Sequence, residues 1–247
     1  MQYFLYTSGT IPDGLGWTHY STLHLTWLAV AVVFITAVTL LYRRADEQCR
    51  RRIAKALALA LLADELFKMV CLFIGGNYEP TYLPLHLCSI NIIFIAIHAW
   101  KPSHLLDNFL YAICIPGALA ALLFPTWTKL PITNFMHWHS FTVHILLTAY
   151  PVALTAGGTI RPHARYLPRC LLFLAALAVP IYGLNLLFDT NFMFLMRADS
   201  GNPLQLFETL LGSHLWGFPI IGGAVFAVMY LPLHLWRRHH KKAPQTV

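Results

Sequence analysis

A chain of 247 residues that is 57% hydrophobic and 11% charged, with a mean hydropathy of +0.59, lies outside the composition of soluble globular proteins. Its length suits one compact helical membrane domain spanning residues 1–247 and leaves no room for a second large soluble one. The net charge of +7 invites a nucleic-acid reading until the positions of the basic residues are considered.

The opening MQYFLYTSGTIPDGLGW has no charged start followed by a short apolar core. It is therefore not a cleavable signal, and the first membrane helix is expected to direct insertion. A bilayer core takes roughly 17–25 mostly apolar residues per helix. Seven stretches qualify: Ser21–Tyr42, Ile53–Ile74, Tyr82–Trp100, Leu105–Phe124, Met136–Leu154, Leu167–Phe188 and Leu215–Trp236. The expected fold class is an all-α bundle of seven transmembrane helices. The fourth and seventh spans carry Pro116 and Pro232, which membrane helices tolerate as kinks.

The loops between spans alternate in charge. RRADEQCRRR follows the first span, Lys101 the third, and Arg161, Arg165 and Arg169 the fifth, while RRHHKK closes the chain. On the other side lie only Lys129 and Arg197, with Lys68 inside a span. By the positive-inside rule the N-terminus is outside and the C-terminus cytoplasmic. The basic balance is thus a topology signal with some attraction to anionic lipid, and nucleic-acid binding loses its support. A bacterial inner-membrane location is the expectation.

With this orientation the polar residues inside the spans gather in the outer half of the membrane. They are His24 in the first span; Asp64, Glu65 and Lys68 in the second; and His86, Cys88 and Asn91 in the third. The fifth adds His137, His139 and His144, the sixth Tyr182, Asn185 and Asp189, and the seventh opens on His214. Ionisable groups inside a bilayer are costly unless paired and usually face the bundle interior. Helical spacing suggests shared faces: Asp64 and Glu65 each reach Lys68, Cys88 and Asn91 are i,i+3, and Tyr182, Asn185 and Asp189 form one stripe. His86 points away from Cys88 on an ideal helix, unless Pro84 alters the entry. His98, Asp107 and His234 fall towards the inner face as boundary residues, and His239 and His240 belong to the basic tail.

None of Cys49, Cys71, Cys88, Cys114 and Cys170 belongs to a CxxC pair or a zinc spacing. Most read as small packing residues, and Asp64, Glu65 and Lys68 as a structural ion-pair network. The cysteine and histidines at one depth, opposite the Asn/Asp stripe, nevertheless form a nucleophile–base–orienter set.

HLCSINIIF in the third span, MHWHSFTVHILL in the fifth and NLLFDTNFMFLM closing the sixth resemble the bacterial YwaF-type integral membrane proteins, relatives of eukaryotic transmembrane protein 164. The resemblance runs from the first span through the seventh. It implies a cysteine-dependent acyltransferase that moves a fatty acyl chain between a phospholipid and a lysophospholipid. The more distant androgen-induced lipid hydrolases use a threonine and a histidine in comparable places. Carried over, Cys88 is the nucleophile and His144 the base, although His137 and His139 precede it in the same span. His86, Asn91, His137, His139, Tyr182, Asn185, Asp189, Asn191, Asp64 and Lys68 are supporting or substrate-binding candidates. The reading calls for no metal or cofactor, and the expected partner is a membrane phospholipid or lysophospholipid. A thioester-based lipid hydrolase shares these features. A proton-coupled or small-solute transporter would need polarity in the inner half. A zinc lipid hydrolase would recruit His137, His139, His144 and Asp64 but lacks the expected HxxxH on the last span; haem ligation and a scaffold role have no specific mark.

Overall fold

The computed structural model describes residues 2–199 and 202–241, with the backbone alone for residue 232 and residues 234–241. Lys242, which ends the basic tail, lies outside the described residues. Among the described residues the regular structure is helical, with no strand.

Helix α1, Thr22–Arg44, and α2, Glu47–Ile74, form a hairpin. Arg43 and Arg44 in the last turn of α1 oppose the negative end of its macrodipole. Asp46 begins α2, accepting from the Cys49 N–H at 2.7 Å, as an N-cap should. Arg50 ties three chain segments together, donating to the carbonyls of Arg43, Ala45 and Gly157.

Helix α3 covers Leu87–Trp100. It begins five residues later than the hydropathy predicts, because Pro84 bars its predecessor from helical geometry. Leu83 is accordingly extended, with ψ 143° after a 3₁₀ turn at Pro80–Tyr82. The next span is interrupted: α4, His104–Phe109, leads through a π turn, Leu110–Cys114, into α5, Ile115–Leu123. Pro116 cannot donate to the carbonyl four residues back, and the Ile115 N–H reaches Leu110 O instead. All five residues of the turn are buried.

Helix α6, Phe135–Ala156, is the axis of the molecule, with 15 of its 22 residues buried. It packs on α1, α2, α3, α5 and the π turn. Asn134 caps it through the Met136 N–H and holds the N-terminal segment by donating to the carbonyls of Tyr3 and Tyr6. Helix α7, Leu167–Phe188, buries only Cys170, Ile181 and Asn185. Helices α8, Leu204–Leu211, and α9, Gly217–Lys241, complete the chain. The eight-residue α8 is absent from the sequence reading because it is far too short for a span.

Five helical stretches are long and apolar enough to cross a membrane: Thr22–Arg44, Pro80–Trp100, His104–Leu123, Ala164–Phe188 and His214–Leu231. Large apolar side chains stand exposed along α1, α7 and α9, among them Val33, Leu187 and Val228, as a lipid-facing surface requires. Helices α2 and α6 are as long, but their ionisable residues lower their hydropathy. They pack closely against each other, and the polar groups lie between protein helices rather than against lipid.

Candidate active site

Cys88 is the second residue of α3, and His86 occupies the N-cap without a side-chain cap bond. The first-turn amides of a helix have no intrahelical acceptor, and they favour a negative charge beside them. His144 lies midway along α6. Its Nδ1 is 2.5 Å from the Ser140 carbonyl, one turn earlier, and its Nε2 is 3.2 Å from Cys88 Sγ. A carbonyl oxygen only accepts, so Nδ1 carries the proton and donates it. The neutral ring then presents a lone pair at Nε2, and the Cys88 thiol donates to it. A thiol on an imidazole lone pair, with the ring's other nitrogen fixed, is the arrangement that generates a thiolate nucleophile.

Two neighbours complete the immediate surroundings. Asn91, one turn beyond Cys88 on α3, is 3% exposed, and its Oδ1 is buried without a hydrogen-bond partner among the described residues. Such a group ordinarily costs about 1–3 kcal/mol; the unpartnered atom is an acceptor, and a donor role for Asn91 falls to its Nδ2. Trp127, in the loop between α5 and α6, stacks on the His144 ring with centroids 5.3 Å apart and planes 8° from parallel.

A second polar group sits between α2 and α6. His139 Nδ1 is 2.9 Å from Asp64 Oδ2, although out of line for a hydrogen bond, and its Nε2 is 3.9 Å from Glu65 Oε2. Lys68 pairs with Glu65 at 2.5 Å, and Thr142 donates to Asp64 Oδ1 at 3.0 Å. The i,i+3 partner takes the lysine, therefore, and the i,i+4 partner turns to α6. Lys68 and Glu65 form the ion pair of this set, and Asp64 and His139 join α2 to α6 beside it.

The remaining candidates are placed elsewhere. His137 accepts from Trp27 Nε1 at 2.9 Å and donates to the Leu130 carbonyl at 3.0 Å, so both ring nitrogens are occupied by the scaffold. Asn185 donates to Phe192 O and accepts from Thr190 Oγ1 and the Phe192 N–H, folding the chain after α7. Asn191 organises the next turn through Arg197 and Met196. Tyr182 is 48% exposed, and Asp189 is the exposed left-handed cap of α7, with φ 51°. The stripe expected on this helix does not converge on Cys88. His86 packs between the rings of Phe192 and Phe194. His24 and His214 bond main-chain carbonyls, of Leu122 and Phe194. Among the described residues no three His, Cys, Asp or Glu side chains converge into a metal-holding group.

Sequence reasoning missed Ser140 and Trp127. The Ser140–His144 spacing of four was visible, but the contribution is a main-chain carbonyl, which no residue type advertises. Nothing in PTWTKLP points to a ring over an imidazole.

These features define an all-helical, multi-pass membrane protein with a thiol–imidazole pair inside its helical core. The chain belongs to the TMEM164 family, whose model matches residues 15–231. No curated protein and no solved structure gave a significant match.

Proposed function

We propose that this protein is an intramembrane lipid acyltransferase, or a thioester-forming lipid hydrolase, with Cys88 as nucleophile and His144 as base. The observation that carries the reading is the 3.2 Å contact between Cys88 Sγ and a His144 Nε2 whose opposite nitrogen is fixed on Ser140.

In the proposed cycle His144 Nε2 takes the Cys88 proton as the sulfur attacks the carbonyl carbon of a phospholipid ester. The tetrahedral intermediate collapses, the C–O bond breaks, and the departing lysolipid oxygen receives that proton. The acyl group remains on Cys88 as a thioester. An acceptor hydroxyl then gives its proton to His144 and attacks the thioester; the thiolate leaves and recovers the proton. A lysophospholipid hydroxyl in this step makes the protein a transferase, and water makes it a hydrolase. Asn91 Nδ2 and the first-turn amides of α3 are the donors suited to the oxyanion, a role worth roughly 2.7–4 kcal/mol per donor.

A seven-span arrangement, with the N-terminus outside, puts this chemistry in the outer half of the membrane, where ester linkages lie and acyl tails rest between helices. Helices α2 and α6 would be the remaining two spans: α6 is largely buried, while α2 turns its ionisable residues towards α6 and exposes Leu59, Leu66 and Phe73 on its other side. The basic loops after α1 and before α7 would then face the cytoplasm.

The test is chemical. Purified protein incubated with phospholipid carrying a labelled acyl chain should acquire a hydroxylamine-sensitive adduct that maps to Cys88. The adduct should vanish in Cys88→Ala. An adduct of undiminished yield in that variant sinks the assignment.

A further inference from the structure

Trp127 has no role in the cycle above, yet its position invites one. Taking the Cys88 proton turns His144 into a cation in a helix core, where water is scarce. The thiolate and the Ser140 carbonyl answer that charge in the plane of the ring. One face of the ring lies against the Trp127 indole, 5.3 Å away and nearly parallel. Indole has the most electron-rich face of the natural side chains, and a cation within about 6 Å of it is attracted.

The choice of tryptophan is informative in itself. Its Nε1 is buried with no hydrogen-bond partner among the described residues. A phenylalanine could stack there without leaving a donor unsatisfied, so fold stability alone disfavours an indole at this place. The ring is also deliberately held. Its edge meets Phe141 at 5.3 Å and 84°. Its loop is strapped by the N-terminal segment: the Trp17 N–H donates to Thr128 O, Trp17 Nε1 donates to Leu130 O, and His19 Nε2 lies 3.0 Å from Pro125 O.

We propose that Trp127 is a positioning residue for His144: its indole face keeps the imidazole aimed at Cys88 and carries part of the positive charge in the thiolate–imidazolium state. The inference rests on the Cys88–His144 reading. The other titratable groups that act on the pair are Asp64 and Glu65 from α2, His139 from α6 and Cys114 from the π turn. None of them covers the ring face.

The experiment measures the alkylation rate of Cys88 by a small haloacetamide in the detergent-purified full chain, resolved from the other cysteines by mass spectrometry. Trp127 is replaced through suppression by tetrafluorotryptophan, which nearly keeps the volume while flattening the quadrupole, and separately by Phe and Leu. The fluorinated ring should slow Cys88 about 3- to 30-fold, with Trp127→Leu at least as slow and Trp127→Phe between it and wild type. An unchanged rate in the fluorinated protein overturns the inference. His144→Ala is the control: if it leaves the Cys88 rate unchanged, the underlying pair fails. If it slows Cys88 while fluorination does not, only the role of Trp127 falls.

Discussion

Several buried histidines of this protein are held at both ring nitrogens, and two of them, His98 and His144, differ instructively in what holds them. His98, on α3, lies 2.8 Å from the Tyr150 hydroxyl and 2.8 Å from Asp107 Oδ1, joining α3, α4 and α6. Its partners complete a closed set: a carboxylate that accepts, and a phenol that is itself fully buried. His144 is held on a carbonyl and a thiol. The carbonyl fixes the tautomer and asks for nothing more, while the thiol can surrender its proton and attack. On the proposed reading, a ring with two satisfied nitrogens is a staple in one place and a base in the other, and the chemistry of the second partner decides which.

That contrast can be broken variant by variant. His144→Ala should lower acyl-adduct formation about 10²- to 10⁴-fold, the usual share of a general base, with little change in melting temperature. A loss confined to stability would make His144 a second staple. His98→Ala should do the reverse, costing about 1–3 kcal/mol by removing the buried donor to Asp107. Thermal unfolding would report the loss, while adduct formation by the surviving folded protein should stay near wild type.

Asn91→Ala sharpens the comparison at the next level. Removing one oxyanion donor should lower kcat about 10²-fold, leave KM nearly unchanged, and leave haloacetamide labelling of Cys88 alone, since alkylation forms no oxyanion. Slower alkylation would mean that Asn91 acts on the thiol instead. Asn185→Ala should give the smallest effect, about 1–3 kcal/mol of stability from loosening the turn at Thr190–Phe192. Adduct chemistry should be untouched, and a catalytic defect there would return Asn185 to the site.

Hydropathy made the long helices legible because lipid contact demands apolar side chains, and α1 and α7 follow the predicted spans closely. Family resemblance brought Cys88 and His144 together as candidates. What stayed hidden depends on which way a helix face looks at a given height. His137 and His144 are seven apart on α6, yet the upper one meets Trp27 of α1 and the lower one meets Cys88 of α3. Asn185 shared the depth of the cysteine but was committed to its own chain seven residues on, a local bond that a helical-wheel stripe does not reveal. The Pro116 kink was expected, whereas its resolution as a π turn depends on which carbonyl the Ile115 N–H finds. His98 and Asp107 read as boundary residues because their positions, not their partners, were visible.

The strap laid by Trp17 and His19 has a practical consequence for anyone handling this protein. The stretch ahead of α1 looks dispensable, yet it forms the outer support of the loop that carries Trp127. Gly16 is part of the fit, since a Cβ there would collide with the Thr128 carbonyl. With the role proposed for Trp127, a shortened N-terminus, or a purification tag joined close to Trp17, is expected to alter Cys88 reactivity from a distance, which haloacetamide labelling of the shortened chain would reveal.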